Sequence, residues 1–241
     1  MITDAQITIG EIVAGDYRTA TVFSKLGIDF CCKGYKTLEE VCTKKKLQTN
    51  QIIEELNQIT LTSATTDIDY ASWPIEDLVD YIEQKHHNYV EEKTPVIREF
   101  LNKLCRVHGD RHPELHKVNE LFMLSAGDLA SHMRKEELIL FPFIRQMIKS
   151  KKDGSILAAP HFGTVQNPIE MMKHDHSAEG ERFEAISEIT NGYVPPADAC
   201  NTYRITFAML EEFENDLHTH IHLENNILFP SVIQLEGEFE A

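Results

Sequence analysis

Along the second half of the chain, inward-type positions recur at alternating steps of three and four residues. Tyr203, Thr206, Leu210, Phe213, Leu217, His220, Glu224 and Ile227 form one such line. Val118, Phe122, Ser125, Leu129, His132, Glu136, Ile139 and Phe143 form another. This is the heptad spacing of a helix that turns one face to a core. Shorter lines run through Val79, Ile82, His86 and Tyr89, and through Ile169, Met172, His176, Phe183 and Ile186. Pro74, followed by Glu76 and Asp77, suits a helix first turn. Gly109 with Pro113, the loop 151–168, and the Pro-Pro turn from Tyr193 to Ala197 separate the four lines. Pro95 and Pro142 fall inside helical patterns and predict kinks or local unwinding. The expected fold class is all-α, with an up-down-up-down four-helix bundle over residues 72–241.

Residues 1–60 predict a smaller helical domain. A helix is expected from Asp16 to Lys25, stopped by Gly27. Thr37 and Glu40 have the spacing of a capping box for the next helix. Thr49 or Asn50 can cap a third, which carries Ile52, Ile53 and Leu56. Residues 61–71, rich in Thr, Ser and Asp, predict a linker.

The apolar lines carry polar residues that demand a reason. His220 and Glu224 lie one turn apart on the core face, as do His132 and Glu136. A buried, unmatched carboxylate costs several kcal/mol or more, and a metal ion is a compact remedy. The stretch HMRKEELILFP from His132 recurs as HIHLENNILFP from His220, 88 residues on, which suggests a duplicated helix pair. Each predicted helix places one histidine inward: His86, His132, His176 and His220. With Glu136 and Glu224 these make a dinuclear ligand set suited to iron, manganese or zinc. His174 and His176 lie two residues apart, and the stripe selects His176. His86 is selected over His87, which lies about 100° round the helix. His87, His108, His112, His116, His161, His174, His218 and His222 are expected at the surface or at helix ends. Glu137, about 100° from Glu136, is expected behind the ligands or in solvent.

The turn GIDFCCKG holds a second candidate, the adjacent Cys31 and Cys32. Neighbouring cysteines rarely close a good disulfide. In a glycine-flanked turn they are candidates for redox or iron-transfer chemistry, with simple packing of the turn as the alternative. The five cysteines lack Cys-x-x-Cys spacing, so reduced thiols and a cytoplasmic location are expected. The N-terminus does not read as a signal peptide, and no apolar run is long enough to span a membrane. The net charge of −16 argues against nucleic acid as a partner. It lies almost wholly after residue 60, where 31 Asp and Glu face 16 Lys and Arg.

HMRKEELILFP and HIHLENNILFP resemble the hemerythrin-like domain. GIDFCCKG followed by TLEEVC resembles the N-terminal domain of the iron-sulfur cluster repair di-iron proteins. The resemblance covers essentially the whole chain. It implies a hemerythrin-type bundle with two non-haem iron ions per chain, bridged by Glu136 and Glu224 and oxo-bridged when oxidised. His86, His132, His176 and His220 take the remaining ligand roles, while Cys31 and Cys32 match the family's cysteine pair. It further implies cytoplasmic repair of iron-sulfur proteins damaged by nitric oxide or oxidants, by supplying iron or removing nitric oxide. The alternative is a module that carries or senses O2 or NO; a zinc- or manganese-stabilised interaction bundle is a third reading. Whether the protein turns over as an enzyme that reduces nitric oxide, and whether it forms a homodimer, stay open at this point. Neither nucleic acid nor membrane is an expected partner.

Overall fold

The computed structural model describes residues 2, 4–61 and 68–239. In chain order its α-helices are α1 (Ile9–Gly15), α2 (Ala20–Lys25), α3 (Leu38–Lys45), α4 (Thr49–Leu61), α5 (Ile75–Tyr81), α6 (Asn88–His108), α7 (Glu114–Lys135), α8 (Phe141–Asp153), α9 (Gln166–Ile189), α10 (Asn201–Leu223) and α11 (Phe229–Gly237). The chain is all-α, as its periodicity predicts; among the described residues the one extended pairing is a single bridge between Thr8 and Thr37. Residues 62–67 of the expected linker 61–71 lie outside the described residues. Two compact units form, one of residues 1–78 with 218–241, the other of residues 79–217.

In the first unit, α1 and α3 both start with complete capping boxes, Thr8 with Glu11 and Thr37 with Glu40. Gly27, at φ +59°, supplies the left-handed residue after α2 that a side chain would disfavour. Ile9, Val13, Phe23, Leu38, Leu56 and Val232 are buried together in this unit's interior. The turn bearing Cys31 and Cys32 presses on α1, where the Gly10 N–H donates to the Gly34 carbonyl at 2.8 Å. A Cβ on Gly34 would stand 2.6 Å from the Phe30 carbonyl oxygen, and one on Gly10 would stand 2.5 Å from Asn226 Oδ1. Only glycine permits that approach at both positions.

The second unit is bundle core. Phe213 of α10 packs edge-on to Phe122 of α7 and stacks on Phe183 of α9, with centroids 5.5 and 5.6 Å away. The sequence stripes are buried here nearly throughout: Val118, Phe122, Ser125 and Leu129 on α7, Ile169, Met172, Phe183 and Ile186 on α9, Tyr203, Thr206, Leu210, Phe213 and Leu217 on α10.

Three of the long helices are interrupted by one π-helical turn each: Ile82–His87, Glu136–Leu140 and Glu224–Leu228. A π turn inserts one residue into the α-helical count, and burial shows the slip. After Glu136 the heptad predicts Ile139, which is 37% exposed, while Leu140 is 1% exposed. Leu140, Ile144 and Met147 then carry the stripe. After Glu224 it passes to Leu228, Val232 and Leu235. After Ile82 it passes to His87, Val90, Ile97, Leu101 and Leu104. Two of these turns come just before a proline, Pro142 and Pro230, which lack the N–H an α-helix would use. That is the local unwinding Pro142 predicts.

The aromatic trio sets a measurable expectation. Phe213→Ala should lower unfolding free energy by about 3–5 kcal/mol, the usual range for a fully buried phenylalanine. Urea titration followed by circular dichroism measures it; a loss under about 1 kcal/mol would mean the stack is not the keystone of this core.

Candidate metal centre

In the second unit the inward polar residues converge. The His132 and His176 Nε2 atoms stand 3.1 Å apart. His132 Nε2 also lies 3.3 Å from Glu136 Oε2, and His87 Nε2 lies 3.4 Å from the same oxygen. The ligand atoms of His132, Glu136 and His176 all fall within 4.8 Å of one another. All four side chains are buried, Glu136 completely. Two imidazole nitrogens this close, with a carboxylate oxygen beside them, need a proton or a cation among them. Nitrogen and oxygen donors in this mix suit iron, manganese or zinc.

The far sides of the rings are held too. His87 Nδ1 meets Glu137 Oε1 at 2.7 Å. His132 Nδ1 meets Asp175 Oδ2 at 3.4 Å, and Lys135 Nζ reaches the same oxygen at 3.0 Å. The His132 contact, with Lys135 reinforcing it, holds the Asp175 carboxyl well below the usual range. A carboxylate accepting Nδ1–H fixes the tautomer that leaves Nε2 free to ligate. The sequence expects Glu137 either behind the ligands or in solvent, and it takes the first role.

Of the adjacent pair, the structure brings His87 to Glu136, where the sequence stripe places His86 inward. His86 is buried but its Nδ1 pairs with Asp216 Oδ1 at 3.1 Å, and its ring packs edge-on to Tyr81. The reason is the π turn at Ile82–His87, which advances the stripe by one residue. Burial records the slip: Val90 is buried, while Tyr89, the next residue of the sequence stripe, is half-buried. Sequence reasoning also missed Glu179, buried on the same α9 stripe, which accepts hydrogen bonds from Ser125 and Arg182. Burial pushes its carboxyl upward. His174, by contrast, is exposed while His176 is buried, as the stripe requires.

The first unit holds the other two expected ligands. His220 Nε2 and Glu224 Oε1 stand 3.0 Å apart, both buried. The surface reading of their neighbours fails for His222, which is buried, and holds in part for His218, which is half-buried. Phe30 packs edge-on to both rings, at 6.0 and 5.9 Å, and Asn226 donates to His222 Nδ1 at 2.9 Å. Burial pushes His222 down to about 4. The outer face of this helix end is covered by the turn around Phe30, a tertiary contact that periodicity cannot reveal. His108 stands at the end of α6, as the helix-end reading expects, and is buried there with its Nε2 3.2 Å from Cys200 Sγ.

The cysteine turn lies in the same unit. Asp29 Oδ1 accepts from the backbone N–H of Cys31 at 3.1 Å and of Cys32 at 2.8 Å. Asn225 and Asn226, next to Glu224, donate to the carbonyls of Cys31 and Phe30 at 3.3 and 3.4 Å. Cys31 is buried and Cys32 half-buried; both are free thiols. Burial, with Cys32 and Asp29 alongside, pushes the Cys31 thiol well up.

Known proteins resemble this chain along most of its length. Residues 77–232 match the hemerythrin HHE cation binding domain, so the bundle is of the hemerythrin class. Residues 5–60 match ScdA_N, a domain described as of unknown function. The chain is 33% identical to the iron-sulfur cluster repair protein YtfE of Musicola paradisiaca, over 95% of this chain and 97% of that one. It is 34% identical to the YtfE of Pectobacterium atrosepticum, with the same coverage. It is 30% identical to the iron-sulfur cluster repair protein ScdA of Staphylococcus haemolyticus, over 95% and 98%. The chain belongs to this family of iron-sulfur cluster repair proteins, a hemerythrin domain preceded by ScdA_N.

The choice between neighbouring histidines can be tested directly. His87→Ala should remove at least half of the bound metal, measured by elemental analysis of purified protein. His86→Ala should keep most of it. The reverse pattern would restore His86 as the ligand.

Proposed function

We propose that the protein repairs damaged iron-sulfur clusters with a non-haem di-iron centre, for which His87, His132, Glu136 and His176 are candidate ligands by their geometry, and His220 and Glu224 by the repeated sequence motif. The observation that carries the reading is Glu136, a fully buried carboxylate whose Oε2 lies 3.3 and 3.4 Å from two imidazole nitrogens. The membership in the repair family and the hemerythrin match to residues 77–232 support it. Bound iron supplies redox-active positions at which NO or O2 can bind.

The chain's own residues do the rest. Glu137 and Asp175 hold the rings of His87 and His132 with Nε2 turned to the carboxylate. Buried Phe141, stacked on the His87 ring with centroids 5.8 Å apart, helps keep bulk water from these donors. Burial of this kind strengthens each electrostatic contact. Cys31 and Cys32 are the handle for a client's damaged cluster or for iron in transit, with Cys32 the more exposed of the two. Among the described residues no helix is long and apolar enough to cross a membrane. With its free cysteines, the protein is placed by this reading in the cytoplasm, acting on iron-sulfur proteins after nitrosative or oxidative damage.

Protein made with adequate iron should contain about two irons per chain. Glu136→Ala and Glu224→Ala should each lose most of that iron, while exposed His174→Ala should keep it. One tightly held zinc and no iron, or equal losses in all three variants, would defeat the ligand assignment.

The double variant Cys31→Ser with Cys32→Ser should keep its iron and visible spectrum. Its reactivation of an NO-damaged iron-sulfur dehydratase should fall severalfold, because serine gives up thiolate chemistry. Collapse of the spectrum would place the cysteines in the iron centre. Full reactivation with reversible O2 or NO binding would favour the carrier or sensor reading instead.

A further inference from the structure

Apart from the histidine-glutamate centre, one other cluster of ligating side chains stands out in the described residues. Cys31 Sγ lies 3.7 Å from Cys32 Sγ and 3.4 Å from Asp29 Oδ1. Ligand atoms of all three residues fall within 4.8 Å of one another. Tetrahedral coordination with metal–sulfur bonds of about 2.3 Å and metal–oxygen bonds of about 2.0 Å places sulfurs about 3.8 Å apart and sulfur from oxygen about 3.5 Å. Two of the three donor pairs already stand at those separations, and the third lies within 4.8 Å. The sulfur separation is also far beyond the roughly 2.05 Å of a disulfide.

The turn is built from several directions. Asp29 fixes the backbone at Cys31 and Cys32, Asn225 and Asn226 hold the carbonyls of Cys31 and Phe30, and Gly10 with Gly34 allows α1 to close behind it. Lys33, the cation nearest in sequence, stands 3.8 Å from Asp29 Oδ2, a long contact between partly exposed groups. Three groups that each ionise to a negative charge thus share one partly buried turn. A soft divalent ion suits two thiolates and a carboxylate, and Cys32, half-exposed, gives it a way in.

We propose that Asp29, Cys31 and Cys32 form a mononuclear site for one thiophilic divalent cation of the ferrous or zinc class, distinct from the histidine-glutamate centre. Binding exchanges two thiol protons for the cation: two metal–sulfur bonds form, two S–H bonds break, and two protons leave to solvent. No oxidation is involved. Three protein ligands leave a coordination position for a sulfur of another protein, an arrangement for handing an ion on rather than storing it. That purpose rests on the repair reading; the binding itself does not.

The test uses full-length, iron-loaded protein, reduced and oxygen-free, titrated with Co2+. One equivalent should give a near-ultraviolet thiolate-to-cobalt band while the iron content stays constant. Cys31→Ser and Cys32→Ser should each abolish the band. Asp29→Asn keeps an oxygen to accept the turn's N–H groups but removes the charge, and should weaken Co2+ binding tenfold or more with unchanged circular dichroism. No band at millimolar Co2+, a band that survives both serine variants, or equal affinity in Asp29→Asn would each overturn the site. Should a serine variant fold poorly, Co2+ protection of Cys32 from alkylation in the unmodified chain decides, and lack of protection overturns the site. Co2+ binding with full cluster reactivation in the double serine variant would leave the site standing and remove its role in repair. Absent binding with serine-sensitive reactivation would remove the site and leave the repair reading intact.

Discussion

A carboxylate taken out of water has to be answered by positive charge or by donors, and this requirement organises the bundle. Glu136 is fully buried on a stripe that also carries Leu129, His132, Leu140 and Ile144. Left unmatched, such a group would cost several kcal/mol or more, a large fraction of a domain's net stability. The molecule meets it with imidazoles on two sides, and braces those imidazoles from behind with Glu137 and Asp175. The acidic brace beside His132 is itself met by Lys135. Charge alternates outward from the core to the solvent, which is how a dense set of polar side chains is tolerated among phenylalanines.

The same principle serves at the cysteine turn on a smaller scale. There Asp29 spends one oxygen on backbone N–H groups, and the amide side chains of Asn225 and Asn226 complete the turn. The π turn at Glu224–Leu228 makes this arrangement available. It presents Glu224 to the interior with His220 while the next two residues reach the opposite way, to Cys31 and Phe30. Three consecutive side chains therefore serve two separate chemical groups.

Much of this was legible in the sequence. The stripes on α7, α9 and α10, the paired His-x-x-x-Glu motifs, the capping box at Thr37 and the preference for His176 over His174 follow from helical geometry alone. Two things were not. The choice of His87 over His86 depends on a one-residue slip that a fixed period cannot represent. The burial of His222 depends on Phe30, about 190 residues away in the chain, and no local pattern carries that contact.

Lengthening a packed helix by a single codon turns everything beyond it by about 100° unless the extra residue is absorbed on the spot. The turns at Ile82–His87, Glu136–Leu140 and Glu224–Leu228 are three such absorbed residues, each at a candidate ligand. For comparative work the consequence is practical. When distant relatives are aligned to this chain, single-residue gaps belong inside these helices as readily as in loops. An alignment that forbids them leaves His87 no way to pair with another protein's ligand when the numbering favours His86.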